Sequence, residues 1–444
     1  MERYSGYNDS GVEWIGEIPL KWEEIKLKHL TQKIGSGITP RGGAEVYLDS
    51  GIPLIRSQNV HFDGLQLEKV AYISQEIHDS MSSTKIKPND VLFNITGASI
   101  GRCSYVPNDF REANVNQHVC IIRPNRKVGS QYLKYLLESI VGQSQVFHSQ
   151  VGTSREGLNF EQLKNFIFCL PAEGEQDSIV AFLNHKTHLI DTLIEKKQKQ
   201  IELLQEQRAA VINQAVTKGL NPNVKMKDSG IEWLGEVPEH WEIKRLKHIS
   251  PKQTVGVVVN PSSYFSDEGV PFLLGNNVLE GKFNTGSVRT ISPESNEKLK
   301  KSMLRSGDLA VVRVGYPGTA AVVPPELDGC NCASIMIVRK DQSFDSHWLC
   351  YSINSAIGKY QVDVVKYGAA QKQYNISHAV EFWYPVPPYG EQSEIRKEID
   401  KKSEIIDDSI CKLQKHVDLI QEYRTTLISE VVTGKIDVRN EVIP

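Results

Sequence analysis

The stretch that decides the fold is a long helical segment, residues 175–220, which reads EQDSIVAFLNHKTHLIDTLIEKKQKQIELLQEQRAAVINQAVTKGL. A second stretch, residues 391–436, aligns with it without gaps. Neither stretch contains a proline, and the single glycine of each, Gly219 and Gly434, suits the end of a helix. Each stretch therefore predicts one long, uninterrupted helix.

Mostly apolar residues recur in both stretches at alternating steps of four and three, which is the spacing of a coiled-coil seam. Since one amphipathic helix cannot bury its own stripe, we expect the two helices to pack on each other. A homodimer formed through either helix is the alternative. The seam residues are Ile190, Ile194, Lys197, Ile201, Leu204, Arg208, Val211 and Ala215 in the first helix, and Ile406, Ile410, Leu413, Val417, Ile420, Arg424, Leu427 and Val431 in the second.

The remainder of the chain repeats as well. Residues 9–19, DSGVEWIGEIP, return as residues 228–238, DSGIEWLGEVP, and the match continues through Trp22 and Trp241. Beyond these openings the halves diverge, which predicts one shared scaffold with two different surfaces. We expect globular domains at residues 1–171 and 221–387, each followed by a helical segment, at 172–220 and 388–444.

Short β-like runs alternate with turns in both globular halves, so each half is predicted to be mixed α/β. A helix is expected at residues 130–146 and another near 348–359. The 444 residues are 40% hydrophobic and 24% charged, as in ordinary soluble proteins. No apolar run is long enough to span a bilayer, and the polar first residues lack the apolar core of a signal peptide, so we expect a cytoplasmic protein without membrane contact.

The cysteine and charge patterns exclude some classes of site. Seven cysteines are scattered, and only Cys330 and Cys332 are near neighbours, which is not zinc spacing. The net charge of −3 argues mildly against a free-standing DNA-binding protein. However, residues 25–168 and 243–384 each carry 16 Lys and Arg against 12 Asp and Glu, so each divergent region is modestly basic.

No convincing active site is found in the sequence. Residues 386–389, Val-Pro-Pro-Tyr, resemble the tetrapeptide of amino-group methyltransferases, but Val386 cannot hydrogen-bond a target amine. Phosphate-binding glycine loops and zinc-protease histidine pairs are also missing. We therefore predict a non-catalytic chain with no catalytic residues, no metal ligands and no cofactor of its own.

Polar side chains suited to reading base edges are concentrated in the divergent, turn-rich segments. The alternative is that many are plain turn formers, because Asn, Ser and Gly favour turns for backbone reasons. In the first half the candidates are Ser36, Thr39, Arg41, Arg56, Gln58, Asn59, Asn94, Thr96, Arg102, Asn116, Gln117, His118, Ser154 and Arg155; in the second half they are Asn260, Ser262, Asn276, Asn277, Arg313, Tyr316, Gln371, Lys372 and Gln373.

Over its whole length the chain resembles the specificity subunits of Type I restriction–modification systems. The resemblance rests on the repeated Ser-Gly-x-Glu-Trp-x-Gly opening, on the turn at residues 35–40 (GSGITP), and on Pro-x-x-x-Glu-Gln before each long helix, at 171–176 and 387–392. The second half departs from this pattern at residues 251–256, PKQTVG, which lack the Gly-x-Thr-Pro turn.

The resemblance implies two target-recognition domains that each read one half of a split, asymmetric site on double-stranded DNA. It implies that the two helices pair antiparallel as a coiled-coil spacer and that two modification subunits dock on the chain. S-adenosylmethionine, ATP and Mg would be bound by the modification and restriction subunits. Arg208 and Arg424, charged at equivalent seam positions, are candidates for setting register or gripping a partner.

Two other functions remain open at this point. One is a specificity component of another restriction class, with fused or associated methyltransferase or nuclease activity. The other is a scaffold whose paired modules bind proteins rather than DNA. Binding of S-adenosylmethionine by the purified chain would favour the first. Salt-insensitive or absent DNA binding would favour the second.

Overall fold

The computed structural model describes residues 2–12, 14–150, 157–368 and 372–443. The chain divides into two compact units, Met1–Gln198 with Lys415–Pro444, and Lys199–Gln414. These are called the first and second unit. They differ from the predicted segments 1–171, 172–220, 221–387 and 388–444, because each unit includes one half of each long helix in its own core.

The first unit opens with a hairpin made from the repeated motif, in which β1 (Tyr7–Asp9) pairs antiparallel with β2 (Glu17–Pro19). Its other strands are β3 (Glu23–Lys26), β4 (Thr31–Ser36), β5 (Ile52–Ile55), β6 (Val60–His61), β7 (Gly64–Leu65), β8 (Ala71–Ile73), β9 (Val91–Asn94), β10 (Cys103–Tyr105), β11 (Asn114–Val115), β12 (Val119–Pro124) and β13 (Ile167–Leu170). Its helices are α1 (Gln75–Ser80), α2 (Ser130–Glu138), α3 (Ile140–Gln150), α4 (Phe160–Lys164) and the first half of α5 (Glu173–Lys218).

Two sheets form the globular part of the first unit. Four antiparallel strands follow the order β10-β9-β12-β4, and three strands follow the order β11-β5-β8. In the smaller sheet β5 and β11 run parallel, with Ile55 opposite Val115. Residues that follow these two strands therefore emerge at the same edge. The main core of the unit includes Tyr132 of α2 and Phe182 of α5.

The second unit has the same kinds of element. Its strands are β14 (Met226–Asp228), β15 (Glu236–Pro238), β16 (Glu242–Arg245), β17 (Gln253–Val255), β18 (Phe265–Ser266), β19 (Val270–Leu273), β20 (Val278–Leu279), β21 (Lys282–Phe283), β22 (Arg289–Ile291), β23 (Leu309–Val312), β24 (Ala320–Val322), β25 (Asn331–Cys332), β26 (Ile335–Val338) and β27 (Trp383–Val386). Its helices are α6 (Leu246–Ile249), α7 (Pro293–Lys298), α8 (Ser346–Asn354), α9 (Ala356–Val365), α10 (Ile376–Ala379) and the first half of α11 (Tyr389–Val432).

The sheets of the second unit are ordered β17-β26-β23-β24 and β18-β22-β19-β25. Here β19 and β25 are the parallel pair, with Leu273 opposite Cys332. The core contains Trp348 of α8 together with Val216 of α5 and Ile399 of α11. Val386 ends β27 and Tyr389 begins α11, so the Val-Pro-Pro-Tyr segment is a strand-to-helix connector.

The two long helices have 46 and 44 residues and are uninterrupted, as predicted. The sixteen predicted seam positions are all buried or half-buried, whereas Leu203 and Leu419 between them are 52% and 60% exposed. Among the described residues, none of the helices combines the length and the apolar character that crossing a membrane requires.

The repeated proline and tryptophan pack against the end of a long helix, which accounts for their fixed spacing in the repeated motif. Gly434 has φ +72°, and a β-carbon there would lie 2.4 Å from Cγ of Pro19 and 3.3 Å from the ring of Trp22. Gly219 has φ +77° and would meet Trp241 at 3.3 Å. In each unit, therefore, the hairpin of the repeated motif closes over the glycine that ends a long helix.

The predictions of single helices at residues 130–146 and near 348–359 are wrong in one respect, because each helix is divided into two. Ser139 separates α2 from α3 and Ser355 separates α8 from α9, and both have extended backbone at ψ 161° and 173°. The Ser139 hydroxyl donates to Leu136 O at 2.7 Å and accepts the N–H of Gly142 at 3.2 Å. Serine side chains compete in this way with the hydrogen bonds of the helix backbone and interrupt the helix. The apolar spacing continues across the break, so the sequence pattern does not reveal it.

Candidate nucleic-acid interface

Loops from four separate stretches of the chain, each carrying candidate base-reading residues, meet at one edge of the first unit. Because β5 and β11 are parallel, Arg56 and Asn116 leave them side by side, and the N–H of Asn116 donates to Ile55 O at 3.1 Å. The loop after β9 joins them, since the N–H of Ile95 donates to His118 O at 3.0 Å. Segments that are far apart in sequence thus form one surface.

Four predicted residues on this surface are connected by hydrogen bonds. Thr39 Oγ1 donates to Gln117 Oε1, and Gln117 Nε2 lies 2.9 Å from His118 Nε2. His118 Nδ1 lies 2.6 Å from Thr96 Oγ1. Thr39 and Gln117 are exposed, whereas Thr96 and His118 are half-buried. Hydroxyl and amide groups held in this way can hydrogen-bond to base edges, and we call the four residues the first polar loop cluster.

Gly37 makes the close approach of these loops possible. A β-carbon at Gly37 would lie 1.8 Å from Val115 O, and the Gly37 N–H donates to Val119 O at 3.1 Å. Gly256 has the same role in the second unit, where a β-carbon would lie 2.5 Å from Cys332 O. Sequence reasoning missed Gly256, although it follows Gly37 by 219 positions, the same interval that separates residues 9 and 228.

The second unit brings together residues from its own divergent loops. Arg313 N–H donates to Ser334 O and Tyr374 N–H to Arg313 O, both at 3.2 Å. The next turn is tied to the 372–373 segment, because the N–H of Gly315 donates to Lys372 O at 3.0 Å. Arg313, Tyr316, Lys372 and Gln373 form the second polar loop cluster, in which Tyr316 is 78% exposed.

Ser334 is a residue of this surface that sequence reasoning missed. It has φ +59°, and its carbonyl holds Arg313 as that of His118 holds Ile95. An isolated serine between two strands carries no pattern that would announce a left-handed backbone.

Three predicted candidates have a structural role instead. Asn59 and Asn277 are buried, and their side-chain Oδ1 atoms accept the N–H of Arg56 at 3.0 Å and of Leu274 at 2.9 Å. Asn94 is also buried and donates to Ser57 O at 2.8 Å. The turn-forming alternative therefore holds for these three, because reaching a base would break bonds inside the protein.

The other candidates are placed less decisively. Asn116 is 7% exposed, and its Oδ1 accepts the N–H of His118 at 3.2 Å. Arg56 is half-buried, 5.5 Å above the ring of Tyr47, and Ser36 is half-buried at the end of β4. Ser154, Arg155 and Gln371 lie outside the described residues. The exposed remainder comprises Arg41, Gln58, Arg102, Asn260, Ser262 and Asn276.

The two seam arginines differ in their surroundings. Arg424 of α11 donates to Glu138 Oε1 at 2.5 Å and to Asp191 Oδ1 at 2.9 Å, and its side chain is only 14% exposed. Burial alone would lower the pKa of Arg424, but the two carboxylates raise it above its ordinary value. Arg208 of α5 contacts Asp407 at 2.7 Å and is 37% exposed.

Known proteins are similar to the chain in both sequence and fold. A family model described as the type I restriction modification DNA specificity domain matches residues 19–203. The type I restriction enzyme MjaVIII specificity subunit of Methanocaldococcus jannaschii is 24% identical over 429 residues, which cover 95% of each chain.

Two solved structures share the fold. A chain from "Structural basis underlying complex assembly and conformational transition of the type I R-M system" matches with a TM-score of 0.71 at 16% identity, covering 94% of this chain and 99% of that one. The HsdS subunit from Thermoanaerobacter tengcongensis matches with a TM-score of 0.50 at 17% identity, covering 94% and 98%. Residues 19–203 thus match the type I restriction modification DNA specificity domain, and over nearly its whole length the chain is similar to type I restriction enzyme specificity subunits, as the sequence predicted.

Proposed function

We propose that the chain reads a bipartite, asymmetric site on double-stranded DNA, with one polar loop cluster for each half-site. The observation that carries this proposal is the common position of the two clusters. The first cluster takes Gln117 and His118 from the loop after β11 of its parallel strand pair, and the second is tied to the loop after β25 of its own pair by the hydrogen bond from Arg313 N–H to Ser334 O. In each unit a glycine with no room for a β-carbon lies against the parallel strand pair. The side chains differ, with Thr and Gln prominent in the first and Arg and Tyr in the second, as expected for two different targets.

The two long helices act as an antiparallel coiled-coil spacer that fixes the distance between half-sites. Support comes from each unit separately. In the first unit, Arg439 lies 3.9 Å from Glu175 and Arg424 lies 2.9 Å from Asp191. Residue numbers thus increase along the first helical segment where they decrease along the second, which is an antiparallel arrangement. In the second, Arg208 contacts Asp407, and a β-carbon at Gly219 would lie 3.4 Å from Glu391.

Catalysis belongs to partner subunits in this proposal. Two modification subunits dock on the chain and supply S-adenosylmethionine chemistry, and restriction subunits supply ATP- and Mg-dependent cleavage. The chain itself binds none of these cofactors. Arg208 is the better of the two seam arginines for contact with a partner, because its guanidinium remains 37% exposed.

The test is co-expression with a type I modification subunit, from the neighbouring gene if one is encoded there, followed by genome-wide mapping of adenine methylation. We expect one bipartite motif, methylated on both strands and lost when the chain is omitted. Exchanging residues 25–168 for those of a relative should change only one half of the motif. An intact complex that gives no motif, or an exchange that changes both halves, contradicts the proposal.

A further inference from the structure

A basic cleft of about 790 Å³ lies in the second unit at one edge of the β17-β26-β23-β24 sheet. Asp308 precedes β23 and Arg339 follows β26 at this edge, because Leu309 pairs with Val338. Arg313 and Ser334 of the loop surface lie at the other edge. A four-residue strand separates the two edges by about 13 Å. The basic cleft is therefore distinct from the second polar loop cluster.

A buried ion pair forms the floor of the cleft. Arg339 Nη1 donates to Asp308 Oδ2 at 2.5 Å, and the Asp308 side chain is 3% exposed. The same carboxylate accepts the backbone N–H groups of Arg305 at 3.0 Å and Lys340 at 2.9 Å. The charge of Asp308 is thus neutralised and its acceptor sites are occupied within the protein.

Four further cations line the walls, and each is exposed: Lys252, Lys301, Arg305 and Lys340. None of them forms a salt bridge with another residue in the described part of the chain. Asp341 is the second carboxylate of the lining, and its pKa is lowered mainly by hydrogen bonds from Ser343 and to a smaller extent by the charge of Lys252. Five cationic side chains against two carboxylates leave a net formal charge of +3.

The cations are positioned by the fold around them. Arg339 donates to Met303 O at 2.8 Å and to Lys301 O at 2.9 Å, which fixes the wall that carries Lys301. Gly307 has φ +89°, and a β-carbon there would lie 2.6 Å from Cδ of Lys340. The stem of Lys340 therefore occupies space that only a glycine leaves free.

The first unit uses the matching positions differently. Arg123 and Asp90 form the same kind of pair, with Nε to Oδ1 at 2.7 Å and Nη2 to Oδ2 at 2.8 Å. Lys33, which precedes Lys252 by the repeat interval of 219, donates its ammonium group to Ser83 O at 2.5 Å. Its charge is therefore engaged with the protein, whereas that of Lys252 faces the cleft.

We propose that the basic cleft binds a phosphate-bearing anion. Ammonium and guanidinium groups that converge on one open volume suit phosphate oxygens, which accept several charge-assisted hydrogen bonds at once. The phosphate comes either from a free phosphate compound or from the sugar-phosphate backbone of nucleic acid. The proposal does not rest on base reading, since the cleft and the loop cluster lie at opposite sheet edges.

The first experiment titrates the full chain with inorganic pyrophosphate in a calorimeter. We expect binding that weakens about tenfold in Lys340→Gln and is lost when Lys252, Lys301 and Arg305 are also changed to Gln, because charge-assisted contacts are removed. Lys282→Gln removes an exposed charge on β21 of the same unit and should leave the affinity unchanged. No binding by the unaltered chain, or equal weakening by Lys282→Gln, overturns the proposal.

Two further arms separate the possible sources and isolate the cleft from the loops. If the fourfold Gln variant also loses affinity for a duplex of arbitrary sequence and shows a shallower salt dependence, the phosphate is that of a nucleic-acid backbone. Unchanged duplex binding identifies a free phosphate compound. An Arg313→Ala, Tyr316→Ala variant should keep its pyrophosphate affinity, and loss of that affinity would contradict a separate site.

Discussion

Arg424 of one long helix binds Asp191 of the other, with 2.9 Å between Nε and Oδ1, and it also reaches Glu138 of α2. Lys134 binds the same glutamate one helical turn away. In the second unit the position that matches Glu138 is Asn354, and its amide donates to Ala320 O at 2.9 Å. Arg208 and Asn354 instead line a cavity of about 530 Å³. Equivalent seam arginines are therefore fixed to very different degrees.

Replacing Arg424 by Leu should destabilise the chain far more than replacing Arg208 by Leu. The first change leaves Glu138, a carboxylate that is 5% exposed, with Lys134 as its remaining cationic partner. Leaving a buried charge uncompensated costs about 3–5 kcal/mol, a loss that Lys134 reduces for Glu138, whereas a half-exposed pair contributes about 1 kcal/mol or less. Denaturant unfolding of the two variants measures the difference, and equal losses of unfolding free energy would show that burial of Arg424 is unimportant.

Arg208→Leu in turn should affect assembly more than stability. If Arg208 contacts a partner subunit, the variant will bind the co-expressed modification subunit more weakly, while its free energy of unfolding stays close to that of the original chain. Arg424→Leu is the matched control in a pull-down at a temperature where both variants stay folded. Normal assembly of Arg208→Leu would remove Arg208 from the partner surface.

Gly37→Ala and Gly256→Ala should each damage one loop surface. The added carbon would lie 1.8 Å from Val115 O or 2.5 Å from Cys332 O, and a backbone carbonyl cannot move aside as a side-chain tip can. Overpacking of this kind costs about 1–3 kcal/mol. Gly35→Ala is the control, because its β-carbon would approach nothing closer than 3.9 Å. Unfolding curves that match for all three variants would contradict the close approach.

Single changes in the loop clusters should alter one half-site at a time. Gln117→Ala removes an exposed amide from the first cluster, and Tyr316→Ala removes an exposed ring from the second. A lost base contact reduces discrimination by about 1–3 kcal/mol at the position it reads. Binding to duplexes altered in one half-site measures this. Gln32→Ala, an exposed change at the far end of β4, should have no effect, and a loss in both half-sites from one variant would refute separate reading.

Thiol labelling should be confined to Cys411. That residue is exposed, whereas the other six cysteines are buried as free thiols. The thiolate is the reactive form, and burial raises the pKa of Cys120, Cys169, Cys332 and Cys350 to about 12. Iodoacetamide at pH 8 followed by peptide mass spectrometry should find one modified site in the native chain. Cys411→Ser should abolish labelling, and rapid modification of Cys120 would mean that the β-sheet core opens.

The sequence by itself determined the elements whose signals are local or repeated. The four-three spacing predicted both long helices, because an apolar stripe of that period can be buried only along one face of a helix. The paired openings at 9–19 and 228–238 predicted two related globular parts, and turn-rich composition located the loops that carry the candidate residues. The positions of Gly219 and Gly434 likewise predicted where the helices end.

Only the tertiary structure decided which polar residues are available. Asn59 and Gln58 are neighbours of similar chemistry, yet one amide is buried in a turn and the other is exposed. The difference between Arg424 and Arg208 arises from Glu138 and Asn354, which lie on other helices far away in sequence. The basic cleft likewise needs strands β17, β23 and β26 to end side by side. Burial and charge pairing depend on contacts between distant segments, and the local sequence at each residue does not encode them.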